Sequence, residues 1–253
     1  MFATDRLESE RLFHDQQAEQ RSETFRREPD RLRVDDEEYL DHESWIRPAF
    51  AQLGDVAGKA VLDLGCGHGM AAVMLARRGA QVTACELSGV YLSEAKRRAA
   101  ANDVMVHFIQ ADAHQLPFAD ESFDAVWGNA VLHHFDLAVA GREIRRVLRP
   151  NGVAVFCEPW AGNPLLRCAR RWLPYSGKKR TPDEVPLRLA DLSFLRKMFP
   201  NLRWQGFQLF SMVGRAMPVS AVSQPLVRCD AFVLRHVPMA KKWCRYVVLT
   251  LPR

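Results

Sequence analysis

Short apolar runs alternate with helical stretches through the middle of this chain, and that alternation carries most of its structural information. Runs at 60–64, 82–86, 104–109, 123–128 and 153–157 read as strands of five or six residues. Between them, 70–78, 88–101 and 136–148 have helical periodicity, with Ser88 as an N-cap. Pro150-Asn151-Gly152 is a strong turn signal that ends the last of these helices. Strands and helices alternating at this spacing imply right-handed crossovers and a parallel sheet with helices on both faces.

The flanks differ from the middle. Residues 5–28 and 35–53 read as two helices, the first with Leu7, Leu12, Phe13 and Phe25, the second with Tyr39, Leu40, Trp45, Ile46 and Phe50. Pro29 and Asp30 separate them. After Glu158 the regularity weakens: 162–173 and 191–199 look helical, and 202–210 and 245–251 look like two further strands. Between those strands lies an insertion, 214–242, with a helix at 226–237. The fold expected is α/β: a doubly wound, mostly parallel seven-stranded sheet with N-terminal helices and a helical insertion before the last strand. No internal repeat and no long linker is visible. The chain therefore reads as one domain over 1–253, with a helical cap (1–58), a core (59–158) and a further half (159–253).

Composition bounds the classes. At 253 residues, 48% hydrophobic and 26% charged, the chain is ordinary globular protein and neither disordered, collagenous nor a disulfide scaffold. The first 20 residues lack the apolar core of a signal peptide, and no apolar run approaches a membrane span. Cys66, Cys85, Cys157, Cys168, Cys229 and Cys244 are scattered, without ligand spacing, so reduced thiols and no metal are expected. A cytoplasmic protein is the expectation. Net charge is only +5, but it is unevenly distributed: residues 159–253 hold 17 basic and 4 acidic side chains, against 8 and 14 in residues 1–50.

The most informative stretch is Val61-Leu62-Asp63-Leu64-Gly65-Cys66-Gly67-His68-Gly69, a strand running into a turn of three glycines with a helix directly after. Open α/β sheets bind ligands at the carboxyl ends of their strands, where glycines let the backbone approach closely. A dinucleotide fingerprint, G-x-G-x-x-G, fits poorly because Met70 stands where the third glycine belongs. Asp63 would also set a carboxylate near phosphates; it suits a cation better.

These residues resemble the class I S-adenosylmethionine-dependent methyltransferases, in their broad small-molecule branch (methyltransferase type 11-like). The family's first motif, acidic-x-Gly-x-Gly-x-Gly, is matched from Asp63 to Gly69, and the likeness runs over residues 60–158. It implies a Rossmann-like fold and S-adenosyl-L-methionine as cofactor, leaving as S-adenosyl-L-homocysteine. Asp63, Gly65 and Gly67 would lie at the first motif, and Glu86, 19 residues past Gly67, would bind both ribose hydroxyls. Leu87 would pack on the adenine, Asp112 would accept from its amino group and the Ala113 N–H would reach a ring nitrogen. Asn129, delivered by the fourth strand with Gly128 and Ala130, would stand at the methyl end. In this family the helices ahead of the first strand commonly close over the cofactor, so Phe13, His14, Gln17, Tyr39, His42 and Trp45 are expected near the pocket or packed on the sheet edge.

Methyl transfer from a sulfonium is an in-line displacement, for which alignment can supply up to ~7–11 kcal/mol. A base is needed only where the nucleophile must lose a proton. The catalytic candidates are His133 and His134, on the segment passing the methyl group, and Glu158 at the end of the fifth strand. Each also has a plain structural reading: packing or capping for the histidines, a hydrogen bond to a loop for the acid. Asn163-Pro164-Leu165-Leu166 lacks the aromatic residue and the position of the Asn-Pro-Pro-aromatic element of base N-methyltransferases.

The basic last third sharpens the question of the acceptor. Arg167, Arg170, Arg171, Lys178, Lys179 and Arg180 surround Trp172 and Tyr175. They suit an anionic or amphiphilic small substrate, peripheral contact with an anionic membrane, or nothing beyond solvation; nucleic acid is disfavoured. The reading is transfer of a methyl group to a small molecule. The alternatives are an RNA-modifying methyltransferase, a non-catalytic S-adenosylmethionine-binding protein and a nicotinamide oxidoreductase.

Overall fold

The computed structural model describes residues 8, 11–21, 28–164, 166, 168, 185–215 and 220–253. The expected strands form. They are β1 (Ala60–Leu64), β2 (Gln81–Glu86), β3 (His107–Gln110), β4 (Phe123–Asn129), β5 (Leu148–Pro159), β6 (Arg203–Phe207) and β7 (Tyr246–Pro252). They make one seven-stranded sheet in the order β3-β2-β1-β4-β5-β7-β6, in which β7 runs antiparallel to both its neighbours. The order reverses between β1 and β4, which creates a crevice above their carboxyl ends.

Alternation along the strands builds two cores. Val61, Ala125, Trp127, Val155 and Cys157 face one side with Phe50 and Met74; Leu62, Leu64, Val126, Ala154 and Phe156 face the other with Ile144 and Leu195. The first side is covered by α2 (Asp36–Asp41), α3 (Ile46–Leu53), α4 (Met70–Arg77) and α5 (Gly89–Ala101), and the second by α6 (Leu137–Val147) and α7 (Leu189–Met198). A further helix, α1, spans 11–21, and α8 (Ser220–His236) lies before β7.

Caps fix the helix starts. The Ser88 hydroxyl accepts from Tyr91 N, and the Asp136 carboxylate accepts from Ala138 N and Val139 N. Five boundaries differ from the sequence expectation. The expected helix 35–53 is two, because the chain turns at 42–45 and lays the Trp45 ring flat on Tyr246, centroids 3.8 Å apart. The third strand starts at His107, not 104, since Asp103 at φ 54° and the Val104 N–H bond to Ala99 O complete the exit from α5. The expected turn at 150–152 is absorbed into β5 as a register shift, with Asn151 at φ 65°. Finally, β6 stops at Phe207 because Gln208 turns left-handed, φ 60°. The helix expected at 226–237 begins earlier, at Ser220, with Pro225 inside it.

The basic cluster Arg167, Arg170, Arg171, Lys178, Lys179 and Arg180, with Trp172 and Tyr175, lies outside the described residues, as does most of the helix expected at 162–173.

Candidate active site

The glycine turn closes on itself: Gly65 N and Cys66 N both donate to Cys85 O, and Gly69 N donates to Cys66 O at 2.9 Å. Two of its glycines are there for different reasons. Gly67 has φ +49°, and a Cβ on it would meet nothing within 4 Å, because it borders open space. A Cβ on Gly69 would stand 2.7 Å from Ala95 Cβ, so this residue lets the start of α4 close against α5. Arg98 of α5 steadies the turn from below: its Nε donates to His68 O at 2.9 Å and its Nη2 to Glu94 at 2.9 Å.

Above the turn lies a cavity of about 200 Å³, walled by the ends of β1, β2 and β4 and the residues after β3. Gly65, Gly67, Glu86, Leu87, Asp112, Ala113 and Asn129 all border it, so seven of the eight cofactor-site residues expected from the sequence come together. The eighth, Asp63, does not border it. It lies behind the turn, with one carboxylate oxygen lacking a hydrogen-bond partner. Burial, with Glu86 adding repulsion, pushes its pKa up to about 7, against a smaller opposing effect of the Ala72 backbone N–H.

The two carboxylates on the wall are held in place. Glu86 Oε2 accepts from Gly67 N at 3.0 Å, while Oε1 accepts from Leu87 N and Ser88 N. Asp112 Oδ1 accepts from His114 N and lies 2.7 Å from His114 Nδ1. His114 Nε2 in turn accepts from Asp136 N, so Nδ1 carries the proton and donates to Asp112. The described lining residues include these two acids and no Lys or Arg. That donor and charge set fits a cationic ligand carrying hydroxyls, and does not fit a phosphate.

Sequence reasoning missed several wall residues, three of them with aromatic rings. His68 and Tyr91 border the cavity, as does Phe135. Burial, with Arg21 and Arg98 nearby, pushes His68 down to about 3, so it is neutral. Its place between two motif glycines was the available signal. Of the six N-terminal residues expected near the pocket, His14 and Gln17 border it. Gln17 accepts from the Tyr91 hydroxyl at 3.0 Å, and Asp15 accepts from Ser88 Oγ, which fastens α1 over α5. Tyr39 and Trp45 are instead buried in the core on the sheet face, and His42 is exposed.

The catalytic candidates separate. His134 borders the cofactor-side cavity. His133, its ring 4.1 Å away centroid to centroid, borders a second cavity of about 280 Å³ with Leu187, Arg188 and Asp191; Phe135 borders both. Glu158, expected as a base or an acid orienting the substrate, borders neither cavity. It is fully buried and its oxygens are spent on protein: Oε1 accepts from Val131 N at 2.9 Å and Leu132 N at 2.8 Å, and Oε2 lies 2.7 Å from His133 Nδ1. Its carboxylate is therefore spent on the 131–133 turn, and the expected direct contact with a ligand in either cavity is not available to it. No cluster of metal-ligating side chains occurs among the described residues.

Comparison with known proteins agrees with this geometry. Residues 62–156 match the family model described as a methyltransferase domain. A demethylmenaquinone methyltransferase of Clavibacter sepedonicus is 43% identical over 150 residues, covering 59% of this chain and 60% of that protein. A malonyl-[acyl-carrier protein] O-methyltransferase of Enterobacter lignolyticus (strain SCF1) is 42% identical over 113 residues, 44% of this chain and 43% of the relative. The chain thus spans about half the length of the curated relatives it matches. An S-adenosylmethionine-dependent methyltransferase from Mesorhizobium loti superposes with a TM-score of 0.55 at 22% identity, covering 85% of this chain and all of that one, and so shares the fold. Motif, matched span and strand order converge on the same residues: 62–156 are similar in sequence to a methyltransferase domain, and the sheet order is that of the fold the Mesorhizobium loti protein shares.

Proposed function

We propose that this protein transfers a methyl group from S-adenosylmethionine to a small-molecule acceptor seated against the His133–His134 turn. The observation that carries the reading is the cavity itself: an open glycine turn and two anchored carboxylates, with no Lys or Arg among its described lining residues. When bound, the cofactor supplies an electrophilic methyl carbon on a positively charged sulfur. Glu86 accepts from the ribose hydroxyls, Asp112 from the adenine amino group, and Leu87 packs on the base with the Ala113 N–H beside it. Gly65 and Gly67 border the amino-acid end and Asn129 the methyl end. Asp63 acts through the turn, as buried negative charge beneath a cationic ligand.

On the acceptor side, His133 Nδ1 donates to Glu158 and its Nε2 serves as the base for an acceptor that must lose a proton. Glu158 is a positioning residue for that ring. Arg188 at the second cavity favours an acceptor with an anionic group. The relative named for demethylmenaquinone supports an acceptor with an apolar part here, and the one named for malonyl-[acyl-carrier protein] an acceptor with an anionic group. A cytoplasmic location fits the buried free thiols Cys66, Cys85, Cys157 and Cys244. A single functional unit over 1–253 is supported by β6 and β7 completing the same sheet.

Calorimetric titration tests the cofactor half. S-adenosylmethionine should bind and NAD should not, and Glu86→Ala should weaken binding by about 10-fold or more. Absence of S-adenosylmethionine binding overturns the proposal. Labelled methyl transfer onto a metabolite extract, followed by mass identification of the product, then names the acceptor.

A further inference from the structure

The segment between β6 and β7 has two unlike faces. On α8, Val227, Asp230, Ala231 and Leu234 recur at helical spacing and line a cavity of about 510 Å³ against β6. The opposite stripe carries Arg228, Phe232, Arg235 and His236, all exposed, with the Phe232 and His236 rings in contact at 4.3 Å. Phe232 is 65% exposed, and in the chain that follows Val237, Met239 and Trp243 are 52%, 63% and 47% exposed. Isolated exposed apolar side chains are ordinary; four large ones within twelve residues are not.

This surface is built, not loose. Asp230 accepts from Leu209 N, Phe210 N and Ser211 N, which ties the turn after β6 to α8. The 3-10 turn Pro238–Trp243 packs on α8 and is pinned from the body of the protein. Trp160 Nε1 donates to Lys242 O at 3.1 Å, and Asn163 Nδ2 donates to Trp243 O at 2.8 Å. Its charge has one sign: residues 220–243 hold Arg228, Arg235, Lys241 and Lys242 and a single acid, Asp230, which is buried and turned inward.

We infer that the outer face of α8 and the Pro238–Trp243 turn form a seat for an anionic lipid bilayer. Aliphatic and aromatic side chains enter the boundary between headgroups and chains, while the flanking cations meet lipid phosphates. Nucleic acid would use the same cations but has no place for Val237 and Met239, since bases stack on aromatic rings. A second copy of this chain would bring like charge against like.

Co-sedimentation with phosphatidylcholine vesicles, with and without phosphatidylglycerol, tests the seat. The protein should bind the anionic vesicles, and raised salt should weaken that binding. Its tryptophan emission should shift to the blue on binding, with most of the shift lost in Trp243→Phe. Arg228→Glu with Arg235→Glu should lower partitioning by about 25-fold or more, since each cation is worth about fivefold. Phe232→Ser should lower it by about 10-fold. Equal binding to both vesicle types, no binding, or a solution dimer that Phe232→Ser dissociates would each overturn the inference. Retained binding of a short RNA at the same salt, without vesicle binding, would do so too. These side chains are exposed, so thermal unfolding should not change. Docking does not depend on the cofactor cavity, and S-adenosylmethionine binding measured in parallel separates the two readings.

Discussion

The ends of β2 and β5 pose the same local problem and solve it for different purposes. The last residue of β2 and the last but one of β5 are glutamates, and each gathers backbone N–H groups of a neighbouring turn: Glu86 those of Gly67, Leu87 and Ser88, Glu158 those of Val131 and Leu132. Glu86 still borders the cavity, whereas Glu158 is sealed and takes His133 as its third partner. A strand-end acid is thus first an organiser of the loops that cross it. What it can do for a ligand depends on the side it leaves open.

Truncating the two acids should pull stability and affinity apart. Glu158→Ala leaves two buried N–H groups and a buried imidazole without their acceptor, and should cost about 3–5 kcal/mol of unfolding free energy. Denaturant unfolding reads this; a loss under about 1 kcal/mol would mean that the turn is held elsewhere. Glu158→Gln, which keeps an acceptor for the N–H groups, should recover much of the stability and little of any base-dependent transfer rate. Glu86→Ala should show the reverse balance, a smaller loss of stability with the larger loss of cofactor affinity. Equal behaviour of the two variants in both assays would erase the distinction.

Asp63 extends the comparison to pH. Its folded pKa, about 7, lies above the ordinary value of 3.8, so the folded protein binds a proton that the unfolded chain has released. Stability from this group is fully present below about pH 4, falls as pH rises to about 7, and is level above that. Asp63→Asn should remove that slope and gain stability at about pH 8, as measured by denaturant unfolding across the range. An unchanged slope would mean that Asp63 is ionised throughout. A cationic ligand favours the ionised form, so S-adenosylmethionine should bind more tightly to the parent protein as pH rises through 7.

Much of this was legible in the sequence because it is local. The apolar runs give the strands, Ser88 and Asp136 cap the helices that follow, and Asp63 to Gly69 carries the turn. What escaped depends on contacts across the chain. That Glu158 is sealed follows from Val131 and Leu132, 27 and 26 residues away, closing over the end of β5. The break at 42–45 follows from Tyr246, two hundred residues later, which the Trp45 ring covers. The early start of α8 contradicts the usual weight given to Pro225 as a helix breaker; its missing N–H falls in the second turn.

The smallest expected effect isolates orientation from contact. His114 reaches Asp112 by its ring and its backbone, and is itself held by Asp136 N. It does not border the cofactor-side cavity, so whatever it contributes to binding passes through the Asp112 carboxylate. Removing the ring in His114→Ala frees one carboxylate oxygen to rotate and also strips Asp136 N of its acceptor, two modest losses near the surface. Affinity for S-adenosylmethionine should fall by about 3- to 10-fold, as one hydrogen bond of ordinary strength is worth. His114→Asn, which can still donate to Asp112, should restore part of it. Adenosine alone should lose the same factor and methionine alone none, because the contact lies at the adenine end; a loss shared by methionine would place Asp112 elsewhere in the site.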